Sequence, residues 1–360
     1  PELGNEEYKA CKKLSDFLAA NGFSLEAGIS NRPTAFRAVY DSKKGGPTIA
    51  YLCEYDALPG VGHGCGHNLI GTMSAAAGVV LSRVLDQTGG RILVIGTPAE
   101  ETEGAKVDMA KQGVFDGIDA ALILHPLDHC HESGYSLAMD ALQFTFKGKA
   151  AHAAAEPEKG INALDGVILA FNGINALRQH VKSDVRIHGI IKEGGVAPNV
   201  VPEKAMARFY VRSRDRSYLN EITEKVKEIA RGAALMTGAE LEITYYEPSY
   251  DNMVTNQTLS HAFNGNLLLA GVDEIKKRRE SFGSIDMGNV SHVVPAIHPY
   301  LGLGVPGIVA HTREMAKATV TENAHEMMLK GIAALSYTGY DVITDNELLL
   351  RIRSEFEGAR

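Results

Sequence analysis

Cys65 and His67 stand two residues apart in His63-Gly-Cys-Gly-His67. The glycines beside them permit backbone turns that bring both side chains to one ion. Thiolate and imidazole are favoured ligands for Zn(II), and imidazole also suits Mn, Ni and Fe. Glu100 and Glu101 are adjacent acids, and like charges side by side are costly without a cation. One can ligate a metal while the other takes a proton from a water that the metal acidifies. The ordinary alternative for such a pair is a solvated helix N-terminus. His125 closes the apolar run Ala-Leu-Ile-Leu, and His311 closes Val305-Pro-Gly-Ile-Val-Ala, which reads as a short strand ending in a ligand. His292, His298 and His325 are weaker candidates. His63 is set aside, and His129 and His131 read as bystanders in an exposed loop.

The elements that must position these residues are three apolar strands. Residues 48–56 end in Asp56, 91–97 lead to the paired acids, and 119–125 end in His125. Ligands of open α/β sheets bind beyond the carboxyl ends of the strands, so neighbouring strands would bring Asp56, Cys65, His67, Glu100, Glu101 and His125 to one rim. Helices are expected from Asn5, as its cap, to about residue 20, then over 69–85 and near 103–113. Strand–helix alternation implies a mostly parallel sheet covered by helices.

The pattern changes after His125. An edge-type strand over 136–148, a helix from Ile161 to His180, strands over 184–192 and 203–214, a helix over 217–236 and a strand over 240–247 give the order β-α-β-β-α-β of a ferredoxin-like unit. The expected fold class is therefore α/β: a mixed, mostly parallel sheet domain made of 1–137 and 250–360, with an α+β domain inserted at 138–249. Domain insertion is tolerated where chain ends lie close at a surface. Helix-and-strand patterning resumes near 255 and ends in a helix over 321–338.

With 360 residues, 45% hydrophobic and 22% charged, the chain fits a globular protein of more than one core. A net charge of −8 argues against a general nucleic-acid binder. No stretch approaches a membrane span, and no basic segment followed by an apolar one marks a signal peptide. Four unpatterned cysteines, Cys11, Cys53, Cys65 and Cys130, suit a reducing cytoplasm.

Tyr55-Asp-Ala-Leu-Pro59, His63-Gly-Cys-Gly-His-Asn68, Thr97-Pro-Ala-Glu-Glu101, His125-Pro126, Gly148-Lys-Ala-Ala-His152, Pro198-Asn-Val-Val-Pro202 with Arg212, and Gly307 to His311 together resemble the M20 metallopeptidase family. The likeness is to its amidohydrolase/aminoacylase branch, near the dipeptidases and aminobenzoyl-glutamate hydrolase subunits. The resemblance implies that Cys65, His67, Glu101, His125 and His311 hold two divalent ions, Zn or Mn first and Ni or Co as further candidates. It implies that Glu100 is the general base and that Asp56 orients a ligand. The inserted domain would be a lid and dimerisation domain of a homodimer or higher oligomer, with His152 reaching the partner's site. Asn199 and Arg212 would hold the carboxylate of a small substrate, an N-acyl amino acid or dipeptide cleaved at its amide. The chain departs from the broader family at Glu54, where a His is usual, and at Asn68, where the branch usually has Asp. A non-catalytic binding or regulatory subunit and a cysteine hydrolase built on Cys65 are the rival readings.

Overall fold

The computed structural model describes residues 1–277 and 283–359. In chain order the elements are α1 (Tyr8–Ala20), β1 (Ser24–Ala27), β2 (Phe36–Asp41), β3 (Thr48–Cys53), α2 (His67–Thr88), β4 (Arg91–Gly96), α3 (Ala105–Lys111), β5 (Ala120–Leu122), β6 (His125–Leu127), β7 (Ala138–Lys147), α4 (Ala163–Leu177), β8 (Arg186–Glu193), β9 (Lys204–Ser213), α5 (Arg216–Thr237), β10 (Glu240–Tyr245), α6 (Gln257–Leu269), α7 (Met287–Ser291), β11 (Ala296–Ile297), β12 (Tyr300–Gly302), α8 (Arg313–Ala318), α9 (Glu322–Thr344) and α10 (Asn346–Gly358). They fall into two compact units. One holds Pro1–Tyr135 and the chain from Met253 on, apart from a short segment; the other holds Ser136–Asn252 with Gly283 and Ser284.

The first unit is built on a sheet of order β1-β2-β4-β3-β5-β11. Strands β4, β3, β5 and β11 run parallel, while β2 and β1 add an antiparallel edge. Every residue of β3 is buried, as expected for a parallel strand covered on both faces. Side chains alternate between the two faces. Ile49, Tyr51, Cys53, Ile92 and Val94 join a core with α2 and α9, while Ala50, Leu52, Leu93 and Ile95 join one with α3 and α7. Small residues let α2 lie close to the sheet: a Cβ on Gly78 would sit 2.5 Å from a Val94 methyl, and one on Gly71 2.9 Å from the Glu54 carbonyl oxygen. Helix α2 is long and apolar enough to cross a membrane, but 67% of its apolar window is buried inside this unit.

The second unit follows β7-α4-β8-β9-α5-β10 and folds as a four-stranded antiparallel sheet of order β10-β7-β9-β8. Its helices cover one face through Ala205, Ala207, Phe209 and Val211 of β9. Met206, Arg208, Tyr210 and Arg212 alternate onto the other, half-buried face.

Four local expectations change. Strand β7 is interior, not an edge: β10 and β9 flank it, and all but two of its residues are buried. Helix α1 begins after Glu7, because Asn5 takes a left-handed φ of 65° and its side chain accepts a hydrogen bond from Arg32. The last helical region extends through α9 to Thr344 and then α10, which Asp345 caps by accepting from the Glu347 and Leu348 N–H groups. Residues 305–311 form no strand; Pro306 cannot donate to a ladder and Gly307 takes a φ of 78°.

Candidate metal centre

Strand β3 ends at Cys53, and the buried Glu54, Tyr55 and Asp56 continue past it. Asp56 is 1% exposed and ties two segments together. Its Oδ1 lies 2.8 Å from His67 Nδ1, and its Oδ2 accepts the Glu101 N–H at 3.0 Å. A carboxylate only accepts, so Nδ1 of a neutral His67 carries the proton and Nε2 is left with the lone pair. His67 opens α2 behind Gly66, whose φ is 80°. A Cβ on Gly66 would meet Pro126 Cγ at 2.7 Å, so this turn needs glycine for both conformation and space.

The paired acids follow β4 through Ala99, a non-glycine residue at φ 58°. Left-handed backbone costs an L-residue about 1–2 kcal/mol, and here it is held from outside. The fully buried Glu7 accepts the Ala99 N–H through Oε1 at 2.8 Å and the Thr34 hydroxyl through Oε2 at 2.9 Å. His125 opens β6, and its Nδ1 lies 2.7 Å from the Pro126 carbonyl oxygen. A carbonyl can only accept, so Nε2 faces Cys65 Sγ, 3.6 Å away, with its lone pair. His311 rides the loop after β12 at φ 64°, and the Gly64 carbonyl accepts its N–H at 2.8 Å. Its Nε2 lies 3.5 Å from Glu101 Oε2.

The donors form overlapping sets in which all atoms lie within 4.8 Å of one another: Cys65 with His67 and His125, Cys65 with Glu101 and His311, and His67 with Glu100 and Glu101. Cys65 is common to the first two. The surroundings call for positive charge. Among the described residues, His67 Nε2 and Glu101 Oε1 are buried without a hydrogen-bond partner. Burial, then the charges of Glu54, Asp286 and Glu101, push the Glu100 carboxyl well above the usual carboxylate range. Burial opposes a charged His67, yet Asp56 and Glu54 outweigh it and raise that imidazole well above its ordinary value. Burial pushes the Cys65 thiol up to about 12, with the nearby His67 imidazole a partial counterweight. Sulfur, imidazole and carboxylate donors with uncompensated acid charge fit a pair of divalent ions. His63 and His298 belong to none of these sets, although the His298 and His125 rings lie 5.4 Å apart.

Behind the donors is a buried ion cluster that local patterning did not reveal. Lys106 is fully buried in α3, with Nζ 2.7 Å from Glu54 Oε1 and 2.7 Å from Asp286 Oδ1. Glu54 Oε2 lies 3.4 Å from His67 Nε2. Burial alone would raise Glu54, but Lys106 and then His67 hold it down to about 2. A lone lysine within the inward run Ala105-Lys-Val-x-Met109 was the available signal, since Lys is almost never fully buried unless paired.

The remaining candidates lie in the second unit. His152 is exposed, and its Nδ1 accepts from the Ala154 and Ala155 N–H groups. Asn199 lies beside it, its carbonyl accepting the Ala153 N–H at 3.0 Å. Arg212 is near the far end of β9, over the Tyr210 ring and 3.4 Å from Ser284 Oγ. From Lys204 to Arg212 the strand advances about 26 Å at roughly 3.3 Å per residue. One copy of this unit therefore joins His152 to Asn199 but not Asn199 to Arg212.

The description "peptidase dimerisation domain" fits residues 139–235, within the second unit. The chain is 37% identical over 372 residues to a Xaa-Arg dipeptidase of Mus musculus, covering 99% of this chain and 86% of that protein. It is 36% identical to one of the p-aminobenzoyl-glutamate hydrolase subunits of Escherichia coli (strain K12), over 73% of this chain and 58% of that one. Among solved structures, a Bacillus subtilis protein described as a dinuclear metal binding peptidase from the M20 family superposes with a TM-score of 0.67. It shares 19% identity over 93% of each chain, a likeness of fold.

Proposed function

Because the chain belongs to the M20 metallopeptidase family, in its amidohydrolase and dipeptidase branch, we propose that it hydrolyses the amide bond of a small N-acyl amino acid or dipeptide with Glu100 as general base. The observation that carries this reading is the pair of donor sets sharing Cys65, with Glu100 beside them in a third. Cys65, His67, Glu101, His125 and His311 would hold two divalent cations, Zn or Mn before Ni or Co, which when bound supply Lewis acidity to the scissile carbonyl and to water. Glu100 Oε2, 4.0 Å from His67 Nε2, takes the water's proton and returns it to the leaving amine. Asp56 fixes the tautomer of His67, as carboxylate partners of ligating imidazoles do.

The catalytic role belongs to the first unit and the dimer contact to the second. Strand β8 is an open sheet edge with exposed Ile190 and Ile191, the kind of surface a second strand can cover. The separation of Asn199 from Arg212 supports a shared site. Arg212 of one copy, with parallel hydrogen bonds, and Asn199 of the other would hold the substrate carboxylate, while His152 beside Asn199 would meet the oxyanion. The names of both relatives, a Xaa-Arg dipeptidase and a p-aminobenzoyl-glutamate hydrolase subunit, describe amides of an amino acid, which supports a substrate with a free carboxylate. All four cysteines are free, which fits a cytoplasmic home.

The test is Glu100→Gln. The variant should bind the same ions yet lose about 10²–10⁴-fold in kcat, the usual worth of general base catalysis, across a panel of N-acyl amino acids and dipeptides assayed with Zn, Mn, Co and Ni. Wild-type turnover in that variant overturns the assignment. No hydrolysis by the loaded wild type on any panel member favours a non-catalytic binding role.

A further inference from the structure

The turn after β6 carries three donors that hydrolysis does not use. One nitrogen from each of His129 and His131 and one carboxylate oxygen of Asp128 lie within 4.8 Å of one another, and none belongs to the sets built on Cys65. The sequence between them alternates. Cys130 is buried, its sulfur accepting the Gly302 N–H at 3.2 Å.

The site is held rigidly. His131 is 8% exposed, not a loop residue in solvent, and its backbone pairs with Tyr300 in both directions, at 3.0 and 2.9 Å. His131 Nδ1 lies 3.2 Å from the Lys277 carbonyl oxygen. That oxygen can only accept, so Nδ1 keeps the proton and Nε2 presents its lone pair. Nε2 stands 3.8 Å from Asp128 Oδ1, beyond hydrogen-bond distance. A ring anchored through one nitrogen to a backbone carbonyl, with the other aimed at a carboxylate, has the usual posture of a metal-binding histidine. Asp128 is fixed in turn by the His129 N–H and His129 Nδ1, each at 2.9 Å.

We propose that Asp128, His129 and His131 form a separate mononuclear site for a borderline transition cation of the Zn2+, Ni2+ or Cu2+ class. Two imidazoles and one carboxylate favour these over Mg2+ and Ca2+, which take oxygen ligands, and water completes the coordination.

The experiment counts ions. Chelator-stripped protein is titrated with Zn2+ and, separately, Ni2+ by calorimetry, with metal analysis after desalting. Wild type should take up three equivalents per chain. His129→Ala, at a half-buried surface position that leaves the fold intact, should weaken one of them at least tenfold. The double variant His129→Ala/His131→Gln should bind two, with Glu100→Gln still binding three. Cys65→Ala/His311→Ala should keep the equivalent that His129→Ala weakens. The proposal is overturned if wild type binds only two equivalents, or if His129→Ala binds three with unchanged affinity. Either result leaves the Cys65 centre to stand on its own test.

Discussion

Replacing Lys106 with Met tests the ion cluster behind the metal donors. The side chains are close in volume, so the change deletes charge and leaves little cavity. It strands Glu54 and Asp286, which are 2% and 0% exposed and each 2.7 Å from the lysine. Breaking a buried pair by removing one partner costs about 3–5 kcal/mol. For a unit of this size each kcal/mol moves Tm by about 2–4 °C, so the ion-free variant should melt roughly 6–20 °C below wild type. The pH dependence gives the sign. With Lys106 present, Glu54 is held down to about 2; its folded pKa lies below the unfolded value, so its contribution is present at neutral pH and lost as pH falls through about 2. Burial already raises Asp286 with Lys106 present; without the lysine it is raised further, and Glu54 loses the charge that holds it down. The folded variant then binds more protons than the unfolded chain, and its deficit should shrink on acidification from neutral toward about pH 5. Adding Glu54→Gln and Asp286→Asn should recover much of the loss, since a neutral set of similar shape is often no worse than a buried ion pair. Calorimetric scans of the chelated proteins at three pH values give the answer. A Tm within 2 °C of wild type, or a deficit that grows on acidification, would refute the reasoning.

Other expectations follow from the same contacts. Arg212→Ala should raise KM about tenfold to a hundredfold for substrates with a free carboxylate, the worth of a charge-assisted pair of hydrogen bonds, and should leave KM for the matching amides unchanged. Glu7→Ala should cost about 2–4 kcal/mol in urea unfolding by orphaning the Ala99 N–H and the Thr34 hydroxyl, and should lower kcat more than it raises KM, because the Ala99 turn sets Glu100 and Glu101. Arg216 holds Asp140 through two hydrogen bonds, at 2.7 and 3.1 Å, and Thr223 adds a third. Burial raises Asp140, but Arg216 outweighs it and the net shift is downward. That stability is present above the unfolded value of about 3.9 and lost as pH falls through the folded one, so wild type should lose more stability than Arg216→Ala between about pH 5 and 3. With its thiol pushed up to about 12, ion-free Cys65 should react with iodoacetamide at neutral pH about a thousandfold more slowly than a free cysteine, whose pKa is about 8.5. Fast alkylation there would revive a cysteine nucleophile.

The parts of the site legible in the sequence are those whose chemistry is local. Cys65 and His67 declare themselves through two-residue spacing in a glycine turn and the paired acids through the apolar strand before them, whereas the strand expected over 119–125 ends at Leu122 and His125 opens β6 instead. The β-α-β-β-α-β order and the parallel sheet were legible for the same reason: alternation within a segment records which faces are covered. His311 was found by a false route. The run from Val305 is apolar, but Pro306 and Gly307 make it a loop, and what places this candidate donor is a hydrogen bond to the Gly64 carbonyl. The support behind the ligands is non-local. Glu7 acts on Ala99 from 92 residues away, and Lys106 joins Asp286 across 180. Nothing within either window specifies the partner, so a buried acid in the approach to α1 reads as a surface residue and a buried lysine as an exposed helix position. A site of this kind therefore displays its candidate donors in motifs and hides what orients them. Substitutions at Glu7 or Lys106 should disturb it as severely as many changes within the motifs, through charges and N–H groups that only the folded chain brings together.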